Sequence, residues 1–222
     1  MKVGTDGVLL GAWCSVDNYP DTILDIGAGT GVISLMIAQR SDAMTIDAVE
    51  VDENAYEQTV ANFEESDWGD RLYCYNATFS EFAEEIAEEE ETYDLIVSNP
   101  PFYTDAFETE DASRNKARFT SSLSFKDLII GVSKILSKTG KFSVVIPYKE
   151  EVNFIALAKE NNLFLNRICR VKGNEISEIK RCLLEFSFDV MELKEESLTI
   201  EIGRHQYTEA YINLTKDFYL KM

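Results

Sequence analysis

Leu24-Asp25-Ile26-Gly27-Ala28-Gly29-Thr30-Gly31 is the stretch on which the reading of this chain turns. A short apolar run ends in three glycines within five residues, and a helix-period segment, Val32–Arg40, follows at once. Glycines in that pattern let the backbone turn sharply and approach a ligand closely at the start of a helix. A dinucleotide-binding loop would need GxGxxG; here the third glycine arrives one position early, at Gly31, and position 32 is Val. That spacing disfavours a nicotinamide dehydrogenase. The next apolar run closes on Val49-Glu50-Val51-Asp52, with Glu50 lying 19 residues after Gly31. A carboxylate at the end of a second strand can take both ribose hydroxyls of a nucleoside. The DxGxGxG form with Glu50 therefore predicts a nucleoside cofactor held by Asp25, Gly27, Gly29, Gly31 and Glu50.

Working outward, apolar runs alternate with helix-period segments, which predicts an α/β fold with a mostly parallel, doubly wound sheet. Strands are predicted at Thr22–Ile26, Thr45–Val51, Leu72–Asn76, Tyr93–Ser98 and Lys141–Pro147, with helices at Val32–Arg40, Glu53–Phe63, Glu81–Glu90 and Phe125–Leu136. A helix at Glu150–Lys159 leads into three further runs, Phe164–Val171, Cys182–Asp189 and Leu198–Ile202. The last two alternate and predict antiparallel additions at the sheet edge. No linker rich in Pro, Gly or Ser interrupts the 222 residues, so one domain over 1–222 is expected.

Composition sets the remaining bounds. No apolar run approaches the roughly 18 residues of a membrane span, and the N-terminus lacks the form of a signal peptide. Cys14, Cys74, Cys169 and Cys182 show no CxxC spacing and His205 is the single histidine. No metal site is expected, and scattered thiols suit a reducing cytoplasm. The net charge of −19 is unevenly spread: residues 1–113 carry −23, 114–181 carry +8 and 182–222 carry −4. A basic segment inside an acidic chain predicts a localised anionic partner. Nothing in the residues specifies an oligomer.

The fourth strand ends in Asn99-Pro100-Pro101-Phe102, where two of the chain's four prolines stand together. Prolines lock φ and remove N–H donors, which leaves a rigid turn with exposed carbonyls. In a doubly wound sheet that turn falls on the carboxyl edge, where ligands bind. An exocyclic base amine is flat, because its lone pair is delocalised into the ring, and it reacts poorly. The Asn99 side-chain oxygen and the Pro100 carbonyl can accept its two hydrogens and favour a pyramidal nitrogen. Phe102 offers a face for the base, a contact worth about 1–3 kcal/mol in single-strand binders. With an activated leaving group, proximity and orientation carry much of the barrier, and no strong base is required.

The glycine turn with Glu50 resembles the class I methyltransferases that use S-adenosyl-L-methionine. In that family the turn passes under the methionine and ribose portions, and the third strand's end, here Asn76-Ala77-Thr78, contacts the adenine through Asn76 or Thr78. The Asn-Pro-Pro-aromatic turn is similar to that of amino-methyltransferases acting on adenine N6, guanine N2 or a protein glutamine amide. It implies catalytic roles for Asn99, Pro100, Pro101 and Phe102. Met1–Gly7, Leu9–Trp13, Lys180–Phe186, Tyr207-Thr208 and Asp217–Tyr219 look like bacterial tRNA(Val) adenine-N6 methyltransferases, so the likeness spans nearly the whole chain. That family carries residues before this opening, and part of a cofactor lid is expected upstream of Met1. Protein glutamine enzymes carry a helical domain before the glycine turn, whereas 24 residues precede Asp25 here. Guanine-N2 enzymes of ribosomal RNA often carry a second, degenerate domain. The resemblance thus implies methylation of an adenine N6 in tRNA, at the purine 3′ of the anticodon. The alternatives are a guanine-N2 or protein-glutamine methyltransferase, and, outside enzymes, an idle RNA-binding module.

An RNA substrate needs a phosphate track. The segment of about 102–120 is long for a strand-to-helix connection and carries Arg114, Lys116 and Arg118. Arg167, Arg170, Lys172, Lys180 and Arg181 are expected around the later sheet edge.

Overall fold

A computed structural model describes residues 3–101, 123–204 and 206–220. Among the described residues, nine strands form one sheet in the order β3-β2-β1-β4-β5-β7-β6-β8-β9. The strands are β1 (Thr22–Ile26), β2 (Thr45–Glu50), β3 (Leu72–Asn76), β4 (Tyr93–Ser98), β5 (Leu136–Pro147), β6 (Phe164–Asn174), β7 (Ile179–Ser187), β8 (Lys194–Gly203) and β9 (Gln206–Tyr207). The helices are α1 (Thr5–Trp13), α2 (Val32–Arg40), α3 (Glu53–Glu64), α4 (Phe79–Glu88), α5 (Phe125–Ile135), α6 (Glu151–Glu160) and α7 (Glu209–Thr215). β1 to β5 run parallel, as the alternation of elements predicts.

Alternation along each strand divides the core. Leu24 and Ile26 of β1 face a cluster with Phe142, Phe154 and Phe186, covered by α4, α5 and α6. Ile23 faces the other cluster, with Leu9, Leu10 and Ile37 from α1 and α2. The same parity turns Asp25 toward α2, a burial no surface carboxylate would tolerate without partners.

Strand order reverses between β1 and β4, so the chain crosses to opposite sides of the sheet there. Carboxyl ends at such a switch point leave a crevice. β1 and β4 end in register, Ile26 opposite Ser98, and the Ser98 hydroxyl donates to the Ile26 carbonyl at 3.0 Å. The glycine turn and the Asn-Pro-Pro turn therefore leave the sheet side by side.

Several boundaries differ from expectation. α4 begins at Phe79, because Thr78 caps it in a capping box with Glu81. β7 is antiparallel, but it lies between β5 and β6 and is not an addition at the edge. β8, by contrast, pairs parallel with β6, and only the short β9 opposes it. Helices α1 and α7 are additional to the predicted set. In α1 seven of nine residues are buried, so no polar face marks its period, and Gly4 provides no side-chain cap.

Candidate functional site

The glycine turn is held in a conformation that side chains resist. Gly27, Gly29 and Gly31 have φ of 75°, 63° and 73°, in the left-handed region that only glycine visits readily. At Gly31 a Cβ would also fall 2.5 Å from Phe63 Cε1, so α3 packs against the turn too closely for any side chain. At Gly27 a Cβ would meet nothing within 4 Å, and the space above the turn is open. The turn is braced from behind. The Gly27 and Ala28 N–H groups donate to the Val49 carbonyl at 2.8 and 3.2 Å. The Thr59 hydroxyl donates to the Gly29 carbonyl at 3.0 Å, and the Asn62 amide donates to the Thr30 carbonyl at 2.8 Å.

Glu50 ties this turn to the end of β2. Its Oε2 accepts from the Gly29 N–H at 2.9 Å and its Oε1 from the Asp52 N–H at 2.9 Å. Two backbone donors fix the carboxylate while leaving further lone pairs on both oxygens. The Asn76 amide donates to the Glu50 carbonyl at 2.9 Å, so the end of β3 is locked to the same corner. Thr78 accepts from the Glu81 N–H and donates to the Glu81 carboxylate. Its hydroxyl is engaged in starting α4.

Asp25 sits beneath the turn and is fully buried. Its Oδ2 accepts from the Ser34 hydroxyl at 2.7 Å and the Ser34 N–H at 3.2 Å, which anchors the first turn of α2. Its Oδ1 is buried without a partner. Burial raises this carboxyl to about 6, against the pull of the two Ser34 hydrogen bonds, and the Glu50 charge adds to the rise. Asp25 acts through α2 and the turn and does not open onto the surface.

On the β4 side, Asn99 is half-buried, Pro100 buried and Pro101 exposed. These three share a cavity of about 400 Å³ with Gly4, Thr5 and Asp6 at the start of α1. A Cβ on Gly7 would lie 3.9 Å from the Asn99 amide nitrogen, so the first turn of α1 runs beside that side chain. This wall was invisible in the sequence reading, and the signal for it was the Gly4-Thr5-Asp6-Gly7 stretch itself. Phe102, Arg114, Lys116 and Arg118 lie outside the described residues.

The other basic residues separate into two groups. Arg167 pairs with Glu196 at 3.0 Å and lies 4.2 Å over the Trp13 ring. Arg170 pairs with Glu151 and Glu195, each at 2.7 Å. Both guanidinium groups are engaged by acidic partners distant in sequence. Lys180 is exposed, while Arg181 donates from Nε to Asp6 Oδ2 at 2.8 Å. Burial pushes the thiols of Cys14 and Cys169 up to about 11 and those of Cys74 and Cys182 to about 12. All four stay protonated near neutral pH, and none is poised as a nucleophile. Among the described residues, no helix is long and apolar enough to cross a membrane, and no three His, Cys, Asp or Glu side chains gather as metal ligands.

The model of the methyltransferase small domain family matches residues 15–162, from before β1 to beyond α6. A predicted O-methyltransferase from Agrobacterium tumefaciens superposes with a TM-score of 0.71 at 19% identity, covering 96% of each chain. A ribosomal protein L11 methylase from Lactobacillus delbrueckii subsp. bulgaricus gives 0.54 at 15% identity, covering 82% of this chain and 76% of its own. Fold and family model together define the class: a Rossmann-like methyltransferase. Among curated relatives, the tRNA1(Val) (adenine(37)-N6)-methyltransferases of Christiangramia forsetii and Flavobacterium johnsoniae are 55% and 56% identical over all of this chain and 92% and 94% of theirs. That of Bacteroides fragilis is 43% identical over all of this chain and 92% of its own. The chain belongs to the tRNA1(Val) (adenine(37)-N6)-methyltransferase family.

The buried Asp25 generates a stability prediction. The native state keeps this proton up to about pH 6, whereas the unfolded chain loses it near the ordinary value of 3.8. The native state thus binds more protons in that window, and its stability falls as pH rises through it. Asp25→Asn lacks this component. Urea unfolding should show the variant gaining on the wild type by on the order of 1 kcal/mol between pH 5 and 7. A difference that stays constant with pH would mean the carboxyl is ionised throughout.

Proposed function

We propose that this protein transfers a methyl group from S-adenosyl-L-methionine to the N6 amine of an adenine in tRNA, the purine 3′ of the anticodon of tRNA(Val). The observation that carries this reading is the juxtaposition at the β1–β4 switch point. An open glycine turn with a braced carboxylate and a rigid amine-accepting turn leave adjacent strand ends in register. The names of the close relatives support the same substrate. In this reading the whole chain, 1–222, serves as one methyltransferase domain in the cytoplasm, with a substrate-side loop at about 102–120.

The residues present fit the cofactor: the space over Gly27 is open and Glu50 retains acceptor capacity on both oxygens. When bound, S-adenosyl-L-methionine supplies an activated methyl group on a sulfonium. Glu50 would hold the ribose hydroxyls, and Gly27, Gly29 and Gly31 would let the backbone pass closely beneath. Asn76 and Thr78 would flank the adenine ring, and Asp25 would keep α2 and the turn in position.

The acceptor side depends on the Asn-Pro-Pro turn. The Asn99 oxygen and the Pro100 carbonyl accept the two amine hydrogens, and their geometry favours a pyramidal nitrogen whose lone pair is available to react. Such acceptors matter most as positive charge develops on the nitrogen, so they act on the transition state more than on binding. The target base must leave its stack, and Phe102 would stabilise it by stacking. Arg114, Lys116, Arg118 and Lys180 would contact phosphates around it.

Two measurements test the reading. S-adenosylhomocysteine should bind and raise the melting temperature by mass action. Glu50→Ala should weaken that binding about tenfold or more, since a charged acceptor is lost, with Glu50→Gln in between. Unchanged affinity in folded Glu50→Ala would remove the ribose assignment. Incubation with total tRNA and labelled cofactor should yield N6-methyladenosine by nucleoside mass spectrometry. Asn99→Ala should slow single-turnover transfer on the order of 100-fold while RNA and cofactor still bind. Label in N2-methylguanosine or in protein, or a wild-type rate in Asn99→Ala, would contradict the reading.

A further inference from the structure

Helix α1 is held at its two ends by different chemistry. At the far end from the cavity, Arg40 donates to the Gly11 carbonyl at 2.6 Å and the Cys14 carbonyl at 3.0 Å. The Trp13 indole N–H donates to Glu196 at 2.8 Å, beneath the Arg167 guanidinium. That end is built into the core. The end at the cavity has no side-chain cap at Gly4, and the Arg181 Nε donates to Asp6 Oδ2 at 2.8 Å.

Arg181 is well placed to act as a clamp. It stands opposite Pro147 of β5 and Val171 of β6, so strands on both sides fix its backbone. Asp6, its partner, lines the same cavity as Asn99, and a Cβ on the next residue, Gly7, would lie 3.9 Å from the Asn99 amide nitrogen. The first turn of α1 is therefore the wall facing the amine-accepting turn, and its distance from Asn99 sets the space left for a flat base.

We propose that Arg181 is a positioning residue for methyl transfer, acting through Asp6 to hold the first turn of α1 against Asn99. This rests on the reading given above, in which the cavity takes the acceptor base. The sequence alone suggested a different task for Arg181, contact with an RNA phosphate. The two roles differ in what they change. A phosphate contact contributes about one to the salt slope of binding, whereas misplacement of a wall slows transfer once everything is bound.

The test compares Arg181→Gln, Arg181→Lys, Asp6→Asn and the Asp6→Asn/Arg181→Gln pair with wild type. Single-turnover rates are read at saturating S-adenosyl-L-methionine and tRNA, and RNA affinity is read across a salt series. Arg181→Gln and Asp6→Asn should each slow transfer about tenfold. The double variant should be no slower than the slower single, because both remove one interaction. Arg181→Lys should recover most of the rate, and the salt slope should match wild type throughout. Asp6→Asn, which preserves volume, carries the test if Arg181→Gln does not fold. A wild-type rate in either single variant, a salt slope reduced by about one in Arg181→Gln, or losses that multiply in the double variant would overturn the proposal. If wild-type protein modifies no RNA, the functional reading fails by itself. The clamp is then read by amide exchange at Val8, whose N–H bonds the Gly4 carbonyl. Faster exchange in Arg181→Gln supports the clamp, and unchanged exchange overturns it.

Discussion

The register of β1 with β4, Ile26 opposite Ser98 and tied by the Ser98 hydroxyl, is the constraint on which the site depends. A shift by one residue would send every side chain of β4 to the opposite face, which two buried clusters on either side forbid. With the strand ends fixed, the turns that follow have no choice of neighbour. The glycine turn is further stapled to β2 by Gly27 and Ala28 on the Val49 carbonyl, so three strand ends converge on one crevice. Function here follows from where the sheet stops.

The two carboxylates beside the glycine turn have different surroundings. Glu50 accepts from two backbone N–H groups, one on each oxygen, and keeps further lone pairs on both. Asp25 is sealed under the turn, joined to Ser34, and its carboxyl is raised by burial. One closes the end of β2 against the turn; the other is tied to the first turn of α2. Burying a carboxylate with one oxygen unpartnered costs stability, which is the kind of local expense that sites concentrate.

Local features were legible in the sequence because their causes are local. Three glycines that need positive φ, a carboxylate at a strand end and adjacent prolines each carry their reason within a few residues, and all stand where expected. The parallel half of the sheet was legible from alternation for the same reason. What escaped was set by partners far along the chain. The basic character of Arg167 and Arg170 is cancelled by Glu196, Glu151 and Glu195, none within ten residues. Helix α1 is almost wholly buried, so it has no amphipathic period to announce it. The parallel pairing of β8 with β6 depends on a strand order that no short pattern encodes.

The central claim, that the two turns form one site, is tested most directly by amide hydrogen exchange with and without saturating S-adenosylhomocysteine. The arrangement predicts slower exchange at Ala28–Gly31 and Val51-Asp52 together, extending across the crevice to Asn99. Binding that leaves Ala28–Gly31 exchanging at the ligand-free rate would contradict it.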